Sequence, residues 1–202
     1  MLMTPRRFSI SCASALTLAI FAGPTEAQSP TCQFRGAPEA LADRPSPLDS
    51  VAIQLGDQVA TLCYGRPSTR GRDMVGGVDP FGQPWRMGAN EPTTLHLPFA
   101  ARLGSVDLEP GSFSLYAIPG ETEWTIIVNS NTNRWGIPIS PDVRSSDVGS
   151  VVVRPRQTAE HVETLTFTFE GVKQESTRHS RLAFAQCVLR WELLAQSLGR
   201  PT

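Results

Sequence analysis

The residues best suited to chemistry are gathered between Cys63 and Thr94. Tyr64-Gly65-Arg66-Pro67-Ser68 is followed by Arg70-Gly71-Arg72, by Gly76-Gly77, Asp79-Pro80 and Gly82, and then by Trp85-Arg86-Met87-Gly88-Ala89-Asn90-Glu91. Arg66, Arg70, Arg72 and Arg86 place four guanidiniums in this segment, with Asn90 and Glu91 at its end. A guanidinium presents a planar fork of donors that matches a carboxylate or phosphate, so such a group serves equally as a structural clamp or as half of a ligand site. Three readings follow. In the first, Arg66 or Arg86 clamps the segment through Asp79 or Glu91, and the protein is a structural envelope-interaction domain with no catalysis. In the second, Arg66, Arg72, Trp85, Arg86, Asn90 and Glu91 converge on a small anionic or carbonyl-bearing ligand. In the third, Glu91 is the acid or base of a hydrolase, with Asn90 and Arg86 polarising the substrate.

Other chemical templates are missing. The chain has no Gly-x-Ser-x-Gly elbow, no phosphate-cradling glycine loop with Lys and no paired-histidine zinc motif. His96, His161 and His179 lie too far apart for ligand spacing, so neither a metal nor a cofactor is expected. His96 alternates with Leu95 and Leu97 and reads as a strand residue facing solvent. Trp124 and Trp135 flank Asn129, Asn131 and Asn133, a composition that suits sugar stacking, although core packing for Trp124 and turn chemistry for the asparagines explain it as well.

The elements that must position these residues are strands. Val59 to Tyr64, Thr93 to Leu97, Ser112 to Ile118, Glu123 to Asn129, Val151 to Arg154 and Glu163 to Phe169 are short, rich in β-branched or aromatic residues, and separated by Gly, Pro, Asn or Asp. Leu165, Phe167 and Phe169 occupy one face of their run and Thr164, Thr166 and Thr168 the other. Pro119-Gly120-Glu121-Thr122 is a hairpin-length turn. Ala37 to Arg44 reads as one short helical turn, and Cys187 to Leu198 reads equally as a short C-terminal helix or a strand. The pattern predicts a single all-β domain over residues 46–198, an antiparallel sandwich or barrel-like fold. Its chemically rich loop of nearly thirty residues is long enough to be functional.

Composition narrows the function further. With 202 residues, 18 basic against 19 acidic side chains and a net charge of −1, bulk charge does not drive nucleic-acid binding. Seventeen of the basic residues are Arg and only Lys173 is Lys, a bias that codon usage explains. Arg6 and Arg7, the apolar run Ile10 to Ala22 and the small-residue step Thr25-Glu26-Ala27 read as a signal peptide over residues 1–27. The run is too short to span a bilayer, so a periplasmic or secreted protein with no stable membrane anchor is expected. Residues 28–45 form an N-terminal extension. Export leaves Cys32, Cys63 and Cys187 where disulfides persist. A Cys32–Cys63 bridge would tie down the extension and contribute roughly 3.5 kcal/mol by the chain-entropy model; three buried thiols are the alternative. Oligomeric state and partners other than a small molecule are not legible.

At the motifs a family resemblance emerges. Tyr64-Gly65-Arg66-Pro67, Gly71-Arg72 and Trp85-Arg86-Met87-Gly88-Ala89-Asn90-Glu91 resemble the signature stretches of the bacterial domain-of-unknown-function family 2911. Pro110-Gly111-Ser112-Phe113-Ser114-Leu115-Tyr116, Ile118-Pro119-Gly120, Glu123-Trp124-Thr125, Asn129, Trp135-Gly136 and Glu163-Thr164-Leu165 extend the likeness over about Ser46 to Phe169. The family often has an aromatic-rich continuation after Trp135-Gly136, where this chain has Ile137-Pro138-Ile139-Ser140-Pro141. The likeness also weakens past Glu170. It implies export and a β-rich domain, and it supplies no reaction.

Overall fold

The computed structural model describes residues 32–171 and 177–195, with side chains through Phe169. The expected signal peptide lies outside these residues, as do the side chains of Lys173, His179 and Cys187. Ten strands form two antiparallel sheets. The larger runs β1 (Leu48–Leu55), β2 (Gln58–Gly65), β3 (Thr93–Leu97), β6 (Gly111–Ile118), β7 (Trp124–Asn129) and β8 (Asp147–Val153), hydrogen-bonded in that order. The smaller is ordered β5 (Val106–Leu108), β4 (Ala101–Leu103), β10 (Thr177–Ala195) and β9 (Arg156–Gly171). Among the described residues, helix is confined to single turns at Pro38–Leu41 and Pro141–Arg144.

Each expected strand is present, β10 takes the strand alternative for the C-terminal run, and the structure adds β1, β4 and β5. Residues 187–195 belong to β10, so a C-terminal helix there is excluded, even though Leu, Ala and Gln are good helix formers. Pairing along β9 and β4 overrides the local propensity. Between the sheets lies one apolar core. Ile53, Leu62, Leu95, Leu115, Ile126 and Val128 face Leu103, Leu108, Leu165 and Phe167. Tyr64 meets Phe167 edge-on at 4.7 Å, and Trp124 meets Trp85 edge-on at 5.7 Å. Both aromatic contacts are in the geometry favoured by ring quadrupoles.

The second face of the large sheet positions the site. Alternation along β2, β3, β6 and β7 puts Cys63, Thr94, His96, Ser112, Ser114, Tyr116 and Asn129 on the side away from the core. An antiparallel sheet often leaves that side to water. Here Ser114, Tyr116 and Asn129 are fully buried, beneath an N-terminal arm (residues 32–45) and the loop of residues 130–146. The Cys32–Cys63 disulfide fastens the arm to β2, as the cysteine arithmetic predicts.

Candidate functional site

The long loop is ordered by borrowing ladder positions from its neighbours. Thr69 N donates to Glu163 O and Leu165 N to Pro67 O, so residues 67–69 lie along β9. Trp85 and Ala117 exchange both backbone hydrogen bonds, at 2.7 and 2.8 Å. Trp85 thereby extends the β3 side of β6 beyond the Thr93–Leu115 pair. The loop's two ends meet backbone to backbone. A Cβ on Gly65 would lie 2.2 Å from Ala89 O, and one on Gly88 would lie 2.7 Å from Thr93 Oγ1. Met87 and Asn90 both adopt left-handed backbone angles, which makes the turn between them sharp.

The six residues singled out in the sequence have separate surroundings. Arg66 pairs with Asp49 at 3.3 Å and its Nε donates to Leu165 O. Arg72 is exposed and donates to the carbonyls of Thr69 and Ser68. Trp85 is a core residue. Asn90 donates through Nδ2 to Ser46 O at 3.1 Å, and its own carbonyl accepts from Gly136 N. Arg86 is half-buried and its Nε donates to Gly88 O. Burial lowers its pKa while Asp79 and Glu91 counteract that effect. Asp79 is pushed up to about 6 by burial, against the pull of Arg86 and Arg72.

Glu91 is the most constrained of the six. Arg44 forks onto both carboxylate oxygens, Nη1 to Oε2 at 2.8 Å and Nη2 to Oε1 at 3.0 Å, and the Arg35 backbone N–H adds a third bond to Oε1 at 2.6 Å. Burial alone would raise its pKa. The donors from Arg44 and Arg35 outweigh burial, and the net shift is downward. Arg44 Nη2 also reaches Arg35 O, so the arm is locked on itself as it locks Glu91. The clamp of this region is therefore Arg44, rather than Arg66 or Arg86. Arg35 and Arg44 are 56 and 47 residues distant in sequence and sit in the segment set aside as an extension.

Beside this clamp is a cavity of about 220 Å³ between the arm, the large sheet and the loop of residues 130–146. Of the six sequence candidates only Glu91 lines it. The arm contributes Phe34 and Arg35, the sheet Thr94, His96 and Ser112, and the loop Asn133 and Arg134. His96 is buried here rather than facing solvent as its alternation suggests. Its Nδ1 is 2.8 Å from Ser112 Oγ, and burial lowers its pKa. Arg134 is half-buried. Its Nη1 donates to Trp135 O and Gly136 O, its Nη2 to Ser114 Oγ, and its Nε is buried without a partner. Arg35 ties the arm to the same loop through Arg134 O and Asn133 Oδ1. Trp124 lies in the core and Trp135 is half exposed. Asn129 belongs to a buried network in which Asp147 accepts from Asn129 and from the Tyr116 hydroxyl, whose pKa rises to about 12.

The chain belongs to the family described as Protein of unknown function (DUF2911), whose sequence profile matches residues 46–194. The match continues well past Glu170, where the motif likeness fades, to within one residue of the end of β10. It contains His96, Ser112, Glu91 and Arg134, and it leaves out the arm with Cys32, Arg35 and Arg44. No curated protein and no solved structure gives a match.

Proposed function

We propose that this protein is exported and binds a small anionic or polar molecule in the cavity beneath its N-terminal arm. The observation that carries the reading is the cavity's position between a polar sheet face and two arginines, one on the arm and one on the loop that cover it. The guanidiniums of Arg35 and Arg134 stand against the single carboxylate of Glu91, which Arg44 already pairs, so the lining is net positive. At about 220 Å³ the space lies below the roughly 300–1,000 Å³ of drug-sized ligand sites, which limits the occupant to a metabolite of a few carbons. The Cys32–Cys63 bridge fits an oxidising compartment. Among the described residues no helix is long and apolar enough to cross a membrane.

A hydrolase built on Glu91 is the weaker reading. Three donors hold the carboxylate ionised, which makes it a poor proton donor and a weak base. The test is a thermal-shift panel of acetate, malonate, succinate and phosphate on the disulfide-intact protein, with Arg134→Gln as control. A ligand at 100 times its Kd stabilises by about 2.7 kcal/mol, a readily measured shift. The expected result is a shift with at least one anion that the Arg134→Gln variant lacks. No shift with any of them, or an equal shift in the variant, would refute the reading.

A further inference from the structure

We infer that Ser112 and His96 form a nucleophile–base pair on the floor of this cavity and that the protein cleaves esters of small acids. The inference rests on the cavity being a ligand site and adds what happens to the ligand there. The pair comes from strand register: His96 on β3 faces Ser112 on β6 directly, both on the side away from the core. The Oγ to Nδ1 distance of 2.8 Å is a full hydrogen bond, and both residues line the cavity. Many serines and histidines pair across strands without chemistry. Here the serine is exposed, whereas its partner is buried, and the pair opens onto a space large enough for a substrate. A hydroxyl held by a neutral imidazole beside a cleft is the arrangement that nucleophilic catalysis needs. Burial lowers the His96 pKa and so favours that neutral form near pH 7. With the ring proton on Nε2, Nδ1 accepts from Ser112.

The same wall holds positive charge for the developing oxyanion. Arg134 donates to Ser114 Oγ, and Ser114 is two residues from Ser112 on the same face of β6. The chemistry balances without any further reagent. The Ser112 hydroxyl proton passes to His96 Nδ1 as Oγ bonds to the acyl carbon. The bond from that carbon to the alcohol oxygen breaks, and the departing oxygen takes the proton from His96. Water then gives a proton to Nδ1 and its oxygen attacks the acyl carbon. Ser112 Oγ leaves with that proton, and the products are one acid and one alcohol. Glu91 takes no part and serves to fix the arm above the pair.

The test treats the disulfide-intact protein with a small alkyl fluorophosphonate and with p-nitrophenyl acetate, followed by intact mass and peptide mapping. A single phosphonyl adduct on Ser112 is expected, absent in Ser112→Ala and formed about 100-fold more slowly in His96→Gln, the loss typical of removing a general base. Both variants should remain folded by circular dichroism, and the anion-induced thermal shift is read on the wild-type protein in parallel. Folded protein that shows the anion shift but carries no adduct on Ser112 would overturn the cleavage and leave the binding site standing. Absence of both would overturn the two together. Labelling that persists unchanged in His96→Gln would remove His96 from its role and with it the proposed pair.

Discussion

Replacing Arg44 by alanine tests the clamp that holds the arm over the cavity. In the folded protein the Arg44 and Glu91 side chains are only 13% and 8% exposed. Arg44→Ala removes two of the three donors to the carboxylate and leaves the Arg35 N–H alone. Stripping one partner from a buried pair costs about 3–5 kcal/mol, because the remaining charge is left in a poorly solvating site. The arm is tethered at Cys32 and can give way to admit water, so the lower end, about 3 kcal/mol, is expected. For a chain of this size that lowers Tm by about 6–12 °C. Urea unfolding measures it, with Arg102→Ala as control. Arg102 and Asp107 also pair at 2.6 Å, but they are 49% and 59% exposed, and the control midpoint should not move. The penalty also has a pH signature. Glu91 has a folded pKa below its unfolded value, so its contribution is present above the unfolded pKa of about 4.3 and is lost as pH falls through the folded one. The gap between Arg44→Ala and wild type should therefore narrow steadily below about pH 4. Glu91→Gln combined with Arg44→Ala should cost less than the sum of the two singles. A loss under about 1 kcal/mol for Arg44→Ala, or strict additivity, would mean that the carboxylate is effectively solvated and the clamp reasoning is wrong.

Three further outcomes follow from the same geometry. Reducing the Cys32–Cys63 bridge, which spans 31 residues, should lower stability by roughly 3.5 kcal/mol, seen as a drop in Tm under dithiothreitol that the Cys32→Ser/Cys63→Ser variant no longer shows. Gly65→Ala should destabilise by several kcal/mol, since its Cβ would lie 2.2 Å from the Ala89 carbonyl oxygen and neither backbone can yield; the check is the urea midpoint against wild type. Asp79 has a folded pKa raised to about 6, so its stabilising share is full below about pH 4 and is lost as pH rises through 6. Asp79→Asn should match wild type near pH 4 and melt higher than wild type above pH 6, followed by Tm from pH 4 to 8.

The sequence made the strands legible where burial is one-sided and failed where pairing is remote. Leu165, Phe167 and Phe169 announce their strand by alternation, and the structure buries the first two in the core. Val51, Ile53 and Leu55 carry the same alternating signal in β1. β10 is ambiguous in the sequence, because its residues suit a helix as well as a strand and its partners β4 and β9 decide between them. The site follows the same division. Alternation finds that His96 lies opposite to Leu95 and Leu97, but cannot say that the arm and the loop of residues 130–146 cover that side. Neither local spacing nor composition reports a contact between Arg44 and Glu91, made across 47 residues.

The motif-rich segment is occupied chiefly with holding its own irregular backbone against the sandwich. Gly65 is constrained by the Ala89 backbone, Gly88 by the Thr93 hydroxyl, and Trp85 by its ladder position and by Trp124. Arg66 and Arg72 satisfy carbonyls and one surface carboxylate, and Asn90 fixes Ser46 at the base of the arm. A dense run of Arg, Gly, Asn and Glu is thus what a long loop needs to fold back onto a sandwich, since each irregular backbone group must find a partner away from the ladders. Ligand chemistry requires groups whose bonding capacity is not already spent on the fold. By that criterion Glu91, with three donors, is a poor candidate, whereas the exposed Ser112 hydroxyl on its histidine retains an open side toward the cavity. Variants of Ser112 and His96 should accordingly alter what the cavity does to a ligand. Variants of Arg66, Asn90 and Glu91 should act first on whether the arm and loop hold the cavity in shape.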